Sequence, residues 1–205
     1  MTPEEVGTAL VEALGPDPRA ETSVSGGDRW ARATVDVPAE RWVDALTAAR
    51  DGLACDFFDW LSAVDEPDAE PPSVDVVTHV ACSVPLPDGG VPRLLLRTRV
   101  PASALQLASI TDLWPGAAWH ERETHEMFGV DFTGFDDGTG MGLRPLLLPD
   151  GFEGTPLRKW FVLAARASKP WPGAKEPGES DAHAAPARRK TLPPGVPDPS
   201  WGPRE

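Results

Sequence analysis

The chain has 205 residues, with 19 basic and 32 acidic side chains and a formal net charge of −13. That balance argues against a nucleic-acid backbone or an anionic membrane surface as partner, since both need clustered cations. Two cysteines, Cys55 and Cys82, are too few for a structural zinc or a cysteine-ligated iron–sulfur cluster, which take about four ligands. They do not suggest a disulfide scaffold either, so a reducing compartment is expected.

Reading along the chain, Thr2-Pro3-Glu4-Glu5 has the pattern of a capped helix start, with threonine as cap, proline in the first turn and Glu5 closing a capping box. Val6, Leu10, Val11 and Leu14 form one apolar stripe, and Gly15 ends it. Arg29 to Val37 alternates apolar and polar and predicts a strand. Pro38 opens a second helix to about Arg50, with Trp42, Val43, Leu46 and Ala49 inward. Phe57 to Val64 is a short apolar segment, and Asp65 to Ser73 reads as a proline-rich loop. Val74 to Val84 and Arg93 to Val100 predict two strands joined by the turn sequence Pro85 to Gly90, hence an antiparallel hairpin. A third helix is expected over about Ser109 to Phe128, with Gly129 as its left-handed terminator.

These elements predict an α+β fold: a small antiparallel sheet with helices packed on one face, followed by an extended C-terminal arm. Residues 1–133 would be the body, 134–166 an extended segment packing on the body and on partners, and 167–205 the arm. The arm holds nine of the 24 prolines and almost no aliphatic side chains, too little apolar area to offset its ordering entropy. It is expected to be disordered or to order only on partners, and Trp171 and Trp201 favour the latter.

No apolar run approaches the roughly 18 residues of a membrane span. Glu4, Glu5, Glu12 and Asp17 stand where a signal or transit peptide would be basic or apolar. A soluble chain is expected, reaching a membrane only through a partner and without direct insertion.

The densest cluster of chemistry is Trp119-His120-Glu121-Arg122-Glu123-Thr124-His125-Glu126-Met127-Phe128-Gly129. A zinc-hydrolase helix needs two histidines four residues apart. His120 and His125 are five apart, which on a regular helix leaves them roughly 140° apart. Trp119, Glu123 and Met127 instead share a stripe. This predicts that Glu123 lies among apolar neighbours and that the Glu121 and Glu123 carboxylates form buried ion pairs with Arg122 locally and with Arg144, Arg158 and Lys159 of the following segment. Gly138 to Gly142 follows Asp136 and Asp137, whose charge repels phosphate, and reads as a loop rather than a nucleotide cradle. No nucleophile elbow is present, and neither cysteine has a histidine partner in sequence. The residues offer no catalytic, cofactor-binding or metal site. They describe a subunit that works through contacts.

Glu121-Arg122-Glu123, then Met127-Phe128-Gly129-Val130, Phe132 and Gly134, resemble the signature of the C-type subunit of the proton-pumping NADH:quinone oxidoreductase (respiratory complex I, the 30 kDa-type subunit family). Leu143-Arg144, Leu147-Leu148-Pro149-Asp150, Gly154 and Pro156-Leu157-Arg158-Lys159 continue it, as do the upstream Trp119, Phe57-Phe58, Leu61 and Val64-Asp65. The resemblance runs from about Asp36 to Leu163. The sequence departs from it at His125, Phe135, Pro145, Thr155, Trp160 and Val162.

The resemblance implies a cofactor-free chain in a hydrophilic arm on the cytoplasmic face of the bacterial plasma membrane. Iron–sulfur clusters, FMN, NADH and quinone would sit on partner subunits. The neighbours would be the D-type subunit, which shapes the quinone cavity, and adjoining iron–sulfur subunits. The complex would pass electrons from NADH to quinone and translocate protons. An equivalent subunit of a complex fed by reduced deazaflavin or ferredoxin, or of a membrane-bound hydrogenase, is the alternative. The residues expected to hold the interface are Trp119, Glu121, Arg122, Glu123, Phe128, Gly129, Arg144, Gly154, Pro156, Leu157, Arg158 and Lys159.

Overall fold

A computed structural model describes residues 1–85 and 90–162. The Leu86–Gly89 part of the predicted turn, residues 163–166 and the predicted arm lie outside the described residues. Met1–Phe161 forms one compact unit.

Helix α1 spans Pro3–Leu14. Its start is the predicted one: the Glu5 amide donates to the Thr2 hydroxyl, and the Thr2 amide donates to the Glu5 carboxylate at 2.8 Å. Val6 and Leu10 are buried, and Gly15 closes the helix. The first expected strand is shorter and has a partner: β1 (Glu21–Ser25) and β2 (Arg32–Asp36) pair antiparallel around a 3-10 turn at Asp28–Trp30. β1 lacked a sequence signal because its side chains are almost all exposed and carry no apolar alternation.

A 3-10 turn at Ala39–Arg41 leads into α2 (Trp42–Gly52), which buries Trp42, Ala45, Leu46 and Ala49. The apolar run after it is the long strand β3 (Phe57–Glu66), which takes in Asp65 and Glu66 where a loop was expected. β4 (Ser73–Ala81) and β5 (Arg93–Pro101) form the expected antiparallel pair, with Val76 opposite Thr98.

The strands assemble in the order β1-β2-β5-β4-β3. The sheet is mixed rather than wholly antiparallel, because β2 and β5 run parallel, with Val35 opposite Leu96. A parallel pair needs a long crossover. Here α2, β3 and β4 supply it, so no local turn announces the pairing.

The core lies between the sheet and the helices. Val74, Val76 and Val80 of β4, with Leu94, Leu96 and Val100 of β5, meet Trp42 and Leu46 of α2 and Leu10 of α1. Each large side chain buried there contributes about 1.5–3 kcal/mol. The alternate residues carry charge: Arg99 makes two bonds to Asp75 at 2.7 Å, and Arg97 forks onto Asp36. A second small ladder, β6 (Gln106–Ala108) with β7 (Asp131–Thr133), runs parallel and brackets α3 (Ala117–Phe128). α3 packs against β3. It begins eight residues later than expected. Residues 110–116 instead form turns closed by Leu113 and Trp114 amides on the Ile110 carbonyl, and Pro115 disfavours helical backbone at Trp114.

Candidate partner-docking site

The side chains expected to act together all lie on or beside α3, but their bonds differ from the expected ion pairs. α3 buries Ala117, Ala118, Glu121, Arg122, Thr124 and Phe128. That stripe has helical spacing, yet half of it is polar, so hydrophobicity did not mark it.

Glu121, not Glu123, is the buried carboxylate. It is 0% exposed and accepts from the Ser109 hydroxyl and the Ile110 amide, both at 2.7 Å. No cation pairs with it among the described residues. Burial pushes its pKa up to about 7, against the opposing pull of the Ile110 amide and the Ser109 hydroxyl. Glu123 is half-buried and makes no ion pair among the described residues. The expected stripe through Trp119, Glu123 and Met127 is the outer one: Trp119 is 64% exposed.

Arg122 is buried, but its donors go to backbone rather than to carboxylates. Nε donates to the Arg144 carbonyl at 3.0 Å and Nη2 to the Pro145 carbonyl at 2.6 Å. Its guanidinium lies 5.6 Å from the Trp119 ring centroid, within cation–π reach. One turn on, Glu126 accepts from the amides of Leu146, Leu147 and Leu148 at 2.6, 2.8 and 3.4 Å. Arginine takes the carbonyls and glutamate the next amides, so one face of α3 grips five consecutive backbone positions. Such charge-assisted bonds are about twice as strong as neutral ones.

The rest of the segment is fastened in the same manner. The Leu157 amide donates to the Met127 carbonyl at 3.0 Å. Arg158 lies 3.2 Å from Asp65, both side chains nearly buried, and the Lys159 amide donates to the other Asp65 oxygen at 2.7 Å. The Lys159 side chain plays no part in this contact. Arg144 pairs with Asp137, whose carboxyl is held down to about 2 by the Thr139 hydroxyl and then by Arg144.

Two glycines fit the segment to the helix. Gly129 ends α3 at φ 82, and a Cβ there would meet Thr155 at 3.2 Å. Gly154 has φ 111, and a Cβ would strike the Phe161 ring at 2.4 Å. Phe128 is buried and Pro156 half-buried. A cavity of about 370 Å³ lies between α3 and the segment, lined by Gly129, Leu143, Pro145, Leu148, Phe152 and Thr155 among others.

Asp65, Glu126 and Ser109 were missed as site residues. Asp65 follows Leu61 and Ala63 on the inward phase of β3, and an aspartate at such a position was the available signal. Glu126 stands four residues after Arg122, so the two share a helix face.

His120 and His125 each turn Nδ1 toward a backbone carbonyl, of Leu61 and Val130 respectively. Gly138 to Gly142 is a loop, with all three glycines at positive φ. Among the described residues, no helix is long and apolar enough to cross a membrane, and no three His, Cys, Asp or Glu side chains gather as metal ligands.

A family model described as the respiratory-chain NADH dehydrogenase, 30 Kd subunit, matches residues 35–167, from β2 to just past the fastened segment. The chain belongs to that family. The C-type NADH-quinone oxidoreductase subunit of Sinorhizobium medicae (strain WSM419) is 37% identical over 146 residues, covering 68% of this chain and 65% of that protein. The corresponding NADH-quinone oxidoreductase subunit of Roseiflexus castenholzii (strain DSM 13941 / HLO8) is 36% identical over 159 residues, covering 77% of this chain and 83% of that protein. Among solved structures, a chain of the membrane-bound sulfane sulfur reductase, an archaeal respiratory membrane complex, aligns with a TM-score of 0.50 and 26% identity over 68% of this chain and 75% of that one. For this 30 Kd-type chain, α3 and the segment fastened to it lie inside the matched region.

Proposed function

We propose that this chain is a structural, cofactor-free subunit in the peripheral arm of an NADH:quinone oxidoreductase, non-catalytic by itself. The complex would carry electrons from NADH through FMN and iron–sulfur clusters on other subunits to quinone, and translocate protons. The chain would sit on the cytoplasmic face of the membrane, against the quinone-cavity subunit and neighbouring iron–sulfur subunits.

The observation that carries this reading is the double grip of Arg122 and Glu126 on residues 144–148. It fixes a segment that has no regular secondary structure while leaving Trp119, Leu147, Leu157 and Trp160 between 54% and 64% exposed. Large apolar side chains held rigidly at a surface suit a protein interface, where little further ordering entropy is lost on binding. The cavity beside Pro145 and Phe152 would receive a partner's apolar side chain.

Isolation of the native complex through a tag on this chain, followed by mass spectrometry, tests the reading. Co-isolation of quinone-cavity and iron–sulfur subunits supports it, and a free monomer in the cell overturns it. The likeness to a chain of the sulfane sulfur reductase complex favours a second reading, a related membrane-bound complex with another electron donor. A flavin-bearing, NADH-oxidising subunit in the same preparation would decide for the first.

A further inference from the structure

The chain's two cysteines, 27 residues apart in sequence, are brought side by side in the core. Both are free and buried, Cys55 at 0% and Cys82 at 5% exposure. Their Sγ atoms share one acceptor, the Leu53 carbonyl, at 3.9 Å and 3.2 Å. The backbone fixes this meeting. Phe57 and Ala81 are the terminal pair of the β3–β4 ladder, and the cysteines flank it. Just beyond, Asp56 accepts from the Ser83 amide at 2.8 Å and hydroxyl at 2.7 Å. Neither thiol has a role in the docking site.

We propose that Cys55 and Cys82 form a redox-active dithiol that hydrogen peroxide converts into an intramolecular disulfide, linking the entry of β3 to the exit of β4. Cys82 is the attacking residue, being the less enclosed of the two. Burial pushes the Cys55 thiol up to about 12, and the neighbouring Cys82 adds to the shift. Burial also raises Cys82. Both therefore rest as thiols at neutral pH, so the reaction is slow and quickens as pH rises.

The chemistry balances in two steps. The Cys82 sulfur attacks one peroxide oxygen, the O–O bond breaks, and the thiol proton leaves with the departing water, giving a sulfenic acid. The Cys55 sulfur then attacks the Cys82 sulfur, the S–O bond breaks, and a second water leaves with the Cys55 proton. Two thiols are oxidised and one peroxide is reduced to two waters. The disulfide removes both S–H donors from the Leu53 carbonyl.

Hydrogen peroxide added to the purified full-length chain, followed by intact mass and by thiol alkylation after unfolding, tests the proposal. The expected result is a mass loss of two hydrogens, loss of alkylation at both cysteines, one peptide cross-link joining them, and recovery of both thiols with dithiothreitol. In the Cys55→Ser variant, Cys82 should instead accumulate as a sulfenic acid trapped by dimedone. Because the wild-type measurement needs no substitution, a variant that fails to fold does not blunt it. Cysteines that still alkylate after peroxide, or a disulfide that links two chains instead, overturn the proposal.

Discussion

Arg122 and Pro145 are 23 residues apart in the chain, yet the arginine Nη2 lies 2.6 Å from the proline carbonyl oxygen. The contact joins a regular helix to a segment without regular structure, and it works through backbone rather than through opposite charges. Pro145 is well suited to this role, because proline has no amide to compete and its fixed φ stiffens the turn.

Replacing Arg122 by alanine removes both carbonyl bonds and the stacking on Trp119. Loss of two bonds to a charged donor should cost roughly 3–6 kcal/mol. Arg122→Lys should recover only part of this, since a single ammonium cannot reproduce the guanidinium fork. Urea unfolding with an unchanged slope would check both values.

Glu126 should act locally. In Glu126→Ala the amides of Leu146, Leu147 and Leu148 lose their acceptor, so their hydrogen exchange should accelerate while amides of β4 stay protected. Uniform acceleration across both would show a global loss of stability instead.

The fold's local punctuation was legible in the sequence. Thr2 with Glu5, and Gly129 after Phe128, depend on neighbours within one helical turn, and both sit as expected. The parallel join of β2 to β5 was not, since its partners are about 60 residues apart and α2, β3 and β4 intervene. That α3 and the segment after it meet was legible, but the bonding between them was not. A helix starting near Ser109 and presenting Trp119 inward would have buried Glu123. The helix that forms is phased by Ala117 and Phe128 and buries Glu121 and Arg122 instead. Charged residues in two stretches also suggested pairing with each other, whereas unpaired backbone groups of residues 144–148 were the stronger claimants.

Glu121 gives the chain a pH dependence. Below the ordinary carboxyl value of 4.5, folded and unfolded chains both hold its proton. As pH rises toward about 7, the unfolded chain loses it while the folded chain retains it, so stability falls across this window and the loss is complete above it. The contribution is about 3 kcal/mol at most. Glu121→Gln keeps an acceptor for the Ile110 amide and should flatten this dependence. Chemical denaturation at about pH 5 and about pH 8 would reveal it, and an equally steep fall in the variant would assign the titration elsewhere.

Arg158 and Asp65 form the second fastening. Arg158→Ala leaves a buried carboxylate without its cation and should cost about 3–5 kcal/mol, while Glu123→Ala should change stability little. Thermal or urea unfolding of the two variants side by side checks the contrast, and comparable losses would contradict the pairing with Asp65.

The proposed docking surface is the fastened segment. Co-isolation of partner subunits with variants altered only at its exposed side chains, such as Leu147→Asp and Leu157→Asp, tests this. Both residues point outward, so the purified chains should unfold much as the wild type does. These folded variants should no longer bring down the quinone-cavity and iron–sulfur subunits, and assembled complex should be lost from the membrane fraction. Normal assembly with both substitutions present would contradict it.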